Sequence, residues 1–324
     1  MNSALIFKAK LLGRTQNSPN HNMYILYYLF GEDVRYKSEL IYSLMSLKKV
    51  TSSAKLSNII VVVYSDHCFT LPDHLNFIEI QFIVIDKRLI TEWLKAANNH
   101  FFILKPMILL EFQKKFNAPC ILMDSDTFFI KDPTPLFKKV KCKTFFTHLK
   151  ECQFSEFHGM SVFFENRSFI DLKGNSFSID SDLYMFNCGV IGFYPECIFI
   201  LHEVVNLICQ IASSKEWPEH WSRLIEQVSF SYYIQHYNLK NSVADPTIIH
   251  YWFFKGFRHL LANKFNYFHV SDEQILIKEI AKVPYNLFPE FVAELMKHHS
   301  LVPTFLLKFL PAESLIGNLL RDDN

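Results

Sequence analysis

The chain predicts an α/β fold, a mostly parallel sheet flanked by helices, and three observations carry that expectation. Apolar runs rich in β-branched and aromatic residues alternate with stretches of helical periodicity from Met23 to Met123, the pattern of strand, helix and parallel strand. The run Ile59–Tyr64 is β-branched and uninterrupted by polar residues, as a parallel strand covered on both faces should be. The run Cys120–Met123 ends abruptly in Asp124-Ser125-Asp126, and open parallel sheets bind ligands beyond the carboxyl ends of their strands.

Taken in order, residues 1–22 form an N-terminal extension whose Thr15–Asn22 stretch has the composition of a loop. Met23–Phe30 is a continuous apolar strand closed by Gly31, and residues 32–49 place Tyr36, Leu40, Leu44 and Leu47 at helical intervals before Lys48-Lys49, which suit a helix C-terminus. Further strands are expected at Ile59–Tyr64 and Phe77–Ile85, then a helix over Phe101–Phe116 with Pro106 in its first turn, and a fourth parallel strand at Cys120–Met123. A short helix follows Asp132-Pro133-Thr134-Pro135, then the segment Thr144–His148. Residues 150–182 have the scattered polar composition of a loop or small excursion over the site. Tyr184–Phe193 reads as a strand, Ile198–Ser213 and Arg223–Tyr237 as helices, Ile248-Ile249 as a strand before His250, and the pattern from Gly256 onward is helical with proline interruptions.

Composition narrows the function. Half of the 324 residues are apolar, and Lys+Arg 33 against Asp+Glu 32 leaves no basic footprint of the kind a nucleic-acid binder needs. Phosphate recognition therefore has to be local. Seven cysteines form no Cys-x-x-Cys pair and several sit in apolar runs, the usage of reduced, buried thiols in the cytoplasm. No signal-type segment opens the chain and no run reaches the roughly 18 apolar residues of a spanning helix. A soluble cytoplasmic protein is expected, with its oligomeric state open. Thirty-three phenylalanines predict some exposed apolar surface. The apolar positions of Phe305–Leu310, Leu315-Ile316 and Leu319-Leu320 fit a helix packed on the domain, an oligomer contact, or a peripheral membrane contact.

At strand spacing, Asp124 and Asp126 point to one face. Two hard carboxylates there suit Mg²⁺ or Mn²⁺ carrying a diphosphate. The same tripeptide is also ordinary turn composition. The surroundings carry a resemblance: a strand ending in Asp124-Ser125-Asp126, then Thr127-Phe128-Phe129-Ile130-Lys131-Asp132-Pro133-Thr134-Pro135-Leu136-Phe137, is similar to the D-x-D region of GT-A nucleotide-diphospho-sugar transferases, in particular family 8-like glycosyltransferases. Phe186-Asn187-Cys188-Gly189 resembles their F-N-x-G strand, Glu226-Gln227 their acid-Gln segment, and His250-Tyr251-Trp252 with Lys255 and Gly256 the segment of the metal-binding His and diphosphate contacts. The four segments occur in the family's order. This chain lacks the full H-x-x-G-x-K-P-W string and has Glu226 where an Asp is usual.

The resemblance implies a GT-A, Rossmann-like domain over 23–256 with a helical C-terminal extension over 257–324. It also implies a hexosyltransferase that uses Mn²⁺ or Mg²⁺ and a nucleotide-diphosphate sugar, with UDP as the nucleotide. The acceptor it implies is a hydroxyl of a glycan, lipid-linked glycan or protein. Metal ligands are expected at Asp124, Asp126 and His250, the imidazole favouring Mn²⁺. The nucleotide is expected near Tyr28, Phe30, Gly31, Tyr36 and Asp66, with Tyr28 and Tyr36 readable equally as core aromatics and Asp66 as a cap or turn acid. Lys105, Lys255 and Gly256 are candidates for phosphate contact, surface lysines being the alternative for the first two. Ser125 and Gly189 border the donor. Asn187, Glu226 and Gln227 face the transferred sugar, and Glu226 and Asp182 are candidates for the general base that an inverting transfer requires. Two other functions compete: a metal-dependent nucleotidyltransferase, which would carry a glycine-rich basic loop where Gly31 stands alone, and a non-catalytic relative serving as a binding scaffold.

Overall fold

The computed structural model describes residues 23–140, 144–165, 167–244 and 246–252. The expectations for residues 1–22, for Lys255 and Gly256, and for the helical extension over 257–324 lie outside the described residues. The first apolar run is strand β1 (Met23–Leu29), and Asp33 caps helix α1 (Val34–Val50) by accepting from the Arg35 backbone N–H. A single turn, α2 (Ser53–Leu56), leads to β2 (Ile59–Ser65), buried at every position. Then come β3 (Glu79–Val84), α3 (Lys87–Ala96) capped by Asp86, and α4 (Leu104–Phe116) with Pro106 in its first turn. Asn117 ends α4 in the left-handed conformation at φ 45°.

After β4 (Cys120–Met123) the chain turns into β5 (Thr127–Phe129) and the short α5 (Thr134–Phe137). β6 (Thr144–Gln153), α6 (His158–Glu165) and the hairpin of β7 (Phe169–Ile170) and β8 (Ser176–Phe177) precede β9 (Tyr184–Phe193). Helices α7 (Ile198–Ala212) and α8 (Ile225–His236) and strands β10 (Lys240–Val243) and β11 (Ile248–His250) complete the described chain. The stretch 150–182 is thus more regular than its composition suggested. β6 runs on to Gln153, and Phe169, Phe177 and Tyr232 stack the small hairpin onto α8.

Seven strands form one sheet in the order β10-β6-β9-β4-β1-β2-β3. All neighbours are parallel except β9, which runs antiparallel to both β4 and β6. The sheet is thus mixed and mostly parallel and is flanked by helices, the α/β architecture that the sequence predicted. Strand alternation divides the core. Ile25, Tyr27, Val61, Val63 and Ile121 pack beneath α1 and β5 on one face, while Leu26, Val62 and Leu122 meet α4, α7 and α8 on the other. Each fully buried valine or leucine here stabilises the fold by about 1.5–3 kcal/mol. Helix α7 with its preceding turn, Pro195–Ala212, is long and apolar enough to cross a membrane, but half of it is buried, and it packs between α4 and α8 as a core helix.

The chain passes from β1 outward to β2 and β3, then returns through α4 to β4 on the other side of β1. Such a switch point opens a crevice at the carboxyl ends of the strands. Residues 28–31, 66 and 124–126 sit at those ends, and the amino half of the antiparallel β9 reaches the same edge.

Candidate active site

The Asp-Ser-Asp segment is a turn between β4 and β5 rather than the end of a strand. Strand alternation therefore does not align the two acids. The turn is closed by Thr127 Oγ1 donating to the Asp124 carbonyl at 2.7 Å and by the Asp124 N–H donating to the Gly189 carbonyl at 2.9 Å. Ser125 points away from the acids and donates to Glu39 on α1 at 2.7 Å. Glu39 is fully buried and was not singled out in the sequence, because it occupies a helix whose acids read as solvated.

β11 brings the third group. It pairs antiparallel with β5, with His250 opposite Thr127, and the Tyr251 N–H extends the ladder to the Asp126 carbonyl at 3.0 Å. His250 Nε2 then lies 3.2 Å from Asp126 Oδ1 and 3.7 Å from Asp124 Oδ2. One ligand atom from each of Asp124, Asp126 and His250 falls within 4.8 Å of the others. Two carboxylates and one imidazole, largely screened from water, fit a divalent cation that shares its sphere with phosphate and water. The two acids also raise the His250 pKa: burial works against the imidazolium, and the Asp126 and Asp124 charges outweigh it.

Gly189 on β9 is required by this arrangement. A Cβ there would lie 2.1 Å from His250 Nδ1, so only glycine lets the ring settle on the strand. Asn187, two residues earlier on the same face, accepts at Oδ1 from the Gly189 N–H at 3.0 Å and meets His250 Nδ1 at 2.9 Å. His148 of β6 stands edge-on to His250 at 5.6 Å, and its burial pushes its pKa down to about 3. It is therefore a neutral wall of the site.

Lys105 is a buried residue, not a surface lysine. From the first turn of α4 its Nζ reaches Asp124 at 2.9 Å, Glu226 at 3.2 Å and the Cys188 carbonyl at 2.9 Å. Burial works against its charge, but Asp124, Tyr28 and Glu226 hold its pKa well above the ordinary value. Tyr28 donates to Asp124 Oδ1 at 3.1 Å. Glu226 is buried on α8 with its pKa raised by burial and partly restored by Lys105. Its Oε1 is committed to Lys105, and its Oε2 has no partner among the described residues. Gln227 turns the other way and donates to Glu151 of β6. Glu151 went unnoticed because it stands in a polar stretch without strand alternation.

Nearer β2, Gly31 adopts φ +86° and donates its N–H to Asp66 Oδ1 at 3.1 Å. His67 Nδ1 meets the same oxygen at 2.7 Å. Tyr36, Gly31, His67 and Phe69 line a cleft of about 170 Å³. Phe30 does not line it: it is buried among core residues against Phe101. Asp182 is not brought to the cluster either. It is exposed in the turn before β9, five residues ahead of Asn187. A larger hollow of about 390 Å³ between Arg167 and Gln210 shares no residue with the site, and its polar groups are engaged locally, Arg167 by Glu216 and Gln210 by the Ile170 backbone.

No protein-family model matches the chain, and no curated protein matches it by sequence. Among solved structures it is similar to mouse xyloside xylosyltransferase 1 in its apo form, at 12% identity over 68% of this chain and 84% of that one, with a TM-score of 0.40. It is also similar to a glycosyltransferase involved in glycosylation of the major capsid of PBCV-1, at 12% identity over 76% of this chain and 99% of that one, with a TM-score of 0.38.

Proposed function

We propose that the chain is a metal-dependent glycosyltransferase that moves a sugar from a nucleotide diphosphate, UDP, to a hydroxyl of a glycan, lipid-linked glycan or protein. The observation that carries this reading is the convergence of Asp124, Asp126 and His250 at the switch-point crevice. Asp124, Asp126 and His250 would hold Mn²⁺ ahead of Mg²⁺, because an imidazole joins the two carboxylates. Held there, such an ion would supply Lewis-acid stabilisation for the charge that develops on a departing diphosphate.

The chain's own groups prepare that site. Lys105 and Tyr28 fix the Asp124 carboxylate from behind. Gly31, Asp66 and Tyr36 offer a backbone turn, an acceptor and an aromatic face beside the cleft where a base and ribose would lie. Asn187 and Gln227, expected to border the transferred sugar, are joined to each other through Glu151. A cytoplasmic location is part of the proposal and is supported by the cysteine pattern of the sequence.

The test is donor hydrolysis and transfer over a panel of nucleotide sugars, with Mn²⁺ and with EDTA, on the wild type and on Asp126→Ala. The reading expects Mn²⁺-dependent turnover that EDTA abolishes and that Asp126→Ala lowers by at least about a hundredfold, the scale on which removing one stabilising group acts. Mn²⁺ and UDP binding without turnover on any donor would leave the scaffold reading. Nucleotidyl transfer from a triphosphate would select the nucleotidyltransferase instead.

A further inference from the structure

We infer that Glu151 is a positioning residue that selects the tautomer of His250, acting through Asn187; this rests on the metal-dependent reading above. A neutral imidazole carries one N–H and one lone pair, and only the lone pair can bind a cation. The tautomer is set by the hydrogen bond that the other ring nitrogen makes. Here the other nitrogen is Nδ1, and it faces the Asn187 amide at 2.9 Å.

An amide has two ends of similar shape and opposite character. If its oxygen faces Nδ1, that nitrogen carries the hydrogen and Nε2 turns a lone pair toward Asp124 and Asp126. If its NH₂ faces Nδ1, the hydrogen moves to Nε2 and blocks the cation's place. Two neighbours select the first arrangement. The Gly189 N–H is only a donor and lies 3.0 Å from Asn187 Oδ1. The Glu151 carboxylate is only an acceptor when ionised and lies 2.9 Å from Asn187 Nδ2.

Glu151 also fixes itself. Its second oxygen accepts from Gln227 Nε2, tying β6 to α8 across the end of β9. Three steps along β6, from Lys150 to Gln153, face two along β9, from Phe186 to Tyr184. A bulge of this kind redirects a side chain that regular alternation would place elsewhere. The chain Gln227–Glu151–Asn187–His250 therefore runs from α8 to the cation's place through groups of alternating donor and acceptor character.

The test uses Glu151→Gln in the full chain. The variant keeps the size but replaces one acceptor oxygen with an NH₂, which must then face either the Asn187 or the Gln227 amide. Mn²⁺ binding read by electron paramagnetic resonance should weaken about 10–100-fold, the range for partners that orient a metal ligand, and Glu151→Asp should recover part of it. With Zn²⁺ as a diamagnetic stand-in, ¹⁵N shifts should show Nδ1–H and a metal-bound Nε2 in the wild type. Glu151→Gln binding Mn²⁺ within about threefold of wild type, with unchanged His250 shifts, overturns the inference while leaving the metal site intact. Should Glu151→Gln not fold, the wild-type spectrum decides: a metal-bound Nδ1 overturns it. A wild type that binds no Mn²⁺, with Asp126→Ala indistinguishable from it, overturns the metal reading and this inference together.

Discussion

The two halves of the crevice are built differently. On the metal half, four elements converge: the β4–β5 turn, β11, α4 and β9 supply Asp124, Asp126, His250, Lys105 and Asn187, each bonded to another protein group before any ligand arrives. On the nucleotide half, an open cleft is lined by the exposed Gly31 and the half-buried Tyr36 and His67, with Asp66 as the main polar tie. Charges that must act in a screened environment are fixed in advance, since a misplaced buried charge is costly. A surface that recognises a flat base can stay hydrated until it is covered. The difference predicts that substitutions on the metal half disturb folding and binding together, whereas those on the nucleotide half disturb binding alone.

The strongest test of that difference is Lys105→Met. It leaves the Asp124 and Glu226 carboxylates without the ammonium between them, and breaking a buried pair from one side costs about 3–5 kcal/mol. Denaturant unfolding should show that loss. Lys105→Met combined with Glu226→Leu should recover a part, because one stranded charge is gone. A loss below about 1 kcal/mol in the single variant would mean that the metal half is not held by its charges.

Gly189→Ala comes next. Its Cβ would stand 2.1 Å from His250 Nδ1 and 2.3 Å from Cε1, so the ring has to leave. Overpacking of this kind costs about 1–3 kcal/mol, and Mn²⁺ binding should go with it. Adding His250→Ala should return the stability without returning the metal. If Gly189→Ala binds Mn²⁺ as the wild type does, His250 is not held by β9 in the way its contacts describe.

Much of the scaffold was legible because burial on both faces writes itself as continuous apolar sequence. β1, β2, β4 and β9 are such runs, and each appears within a residue or so of where periodicity put it. Elements at the rim were not. The polar edge strand β10 buries little and carries no apolar signal, whereas α3 went unpredicted although Leu89, Ile90, Trp93 and Leu94 recur at helical spacing behind Asp86, which has the type of an N-cap. In the site, Asp124, Asp126 and His250 were legible as types in an order, but their convergence depends on a turn and on a two-stranded ladder joining residues far apart in sequence. Glu39, Glu151 and His148 carry no motif at all. Their roles exist only because β6 bulges and α1 passes beneath the turn, and neither fact has a local signature.

Asp66→Asn sharpens the nucleotide side and should have the smallest effect on stability. Burial works to raise the Asp66 pKa, but the His67 ring and the Gly31 N–H favour its charged form more, so it lies below the ordinary value for an aspartate. A folded-state pKa below the unfolded one means that the stabilisation is fully present above the unfolded value and is lost as pH falls through the folded value. Near neutral pH the variant should therefore be less stable by well under about 1 kcal/mol, because the pair is open to solvent. That difference should vanish in acid, below the folded-state pKa. UDP binding measured calorimetrically at neutral pH should weaken even so, since Asp66 is the acceptor that orders the Gly31 turn beside the cleft. A variant that loses several kcal/mol of stability but binds UDP normally would reverse the contrast between the two halves.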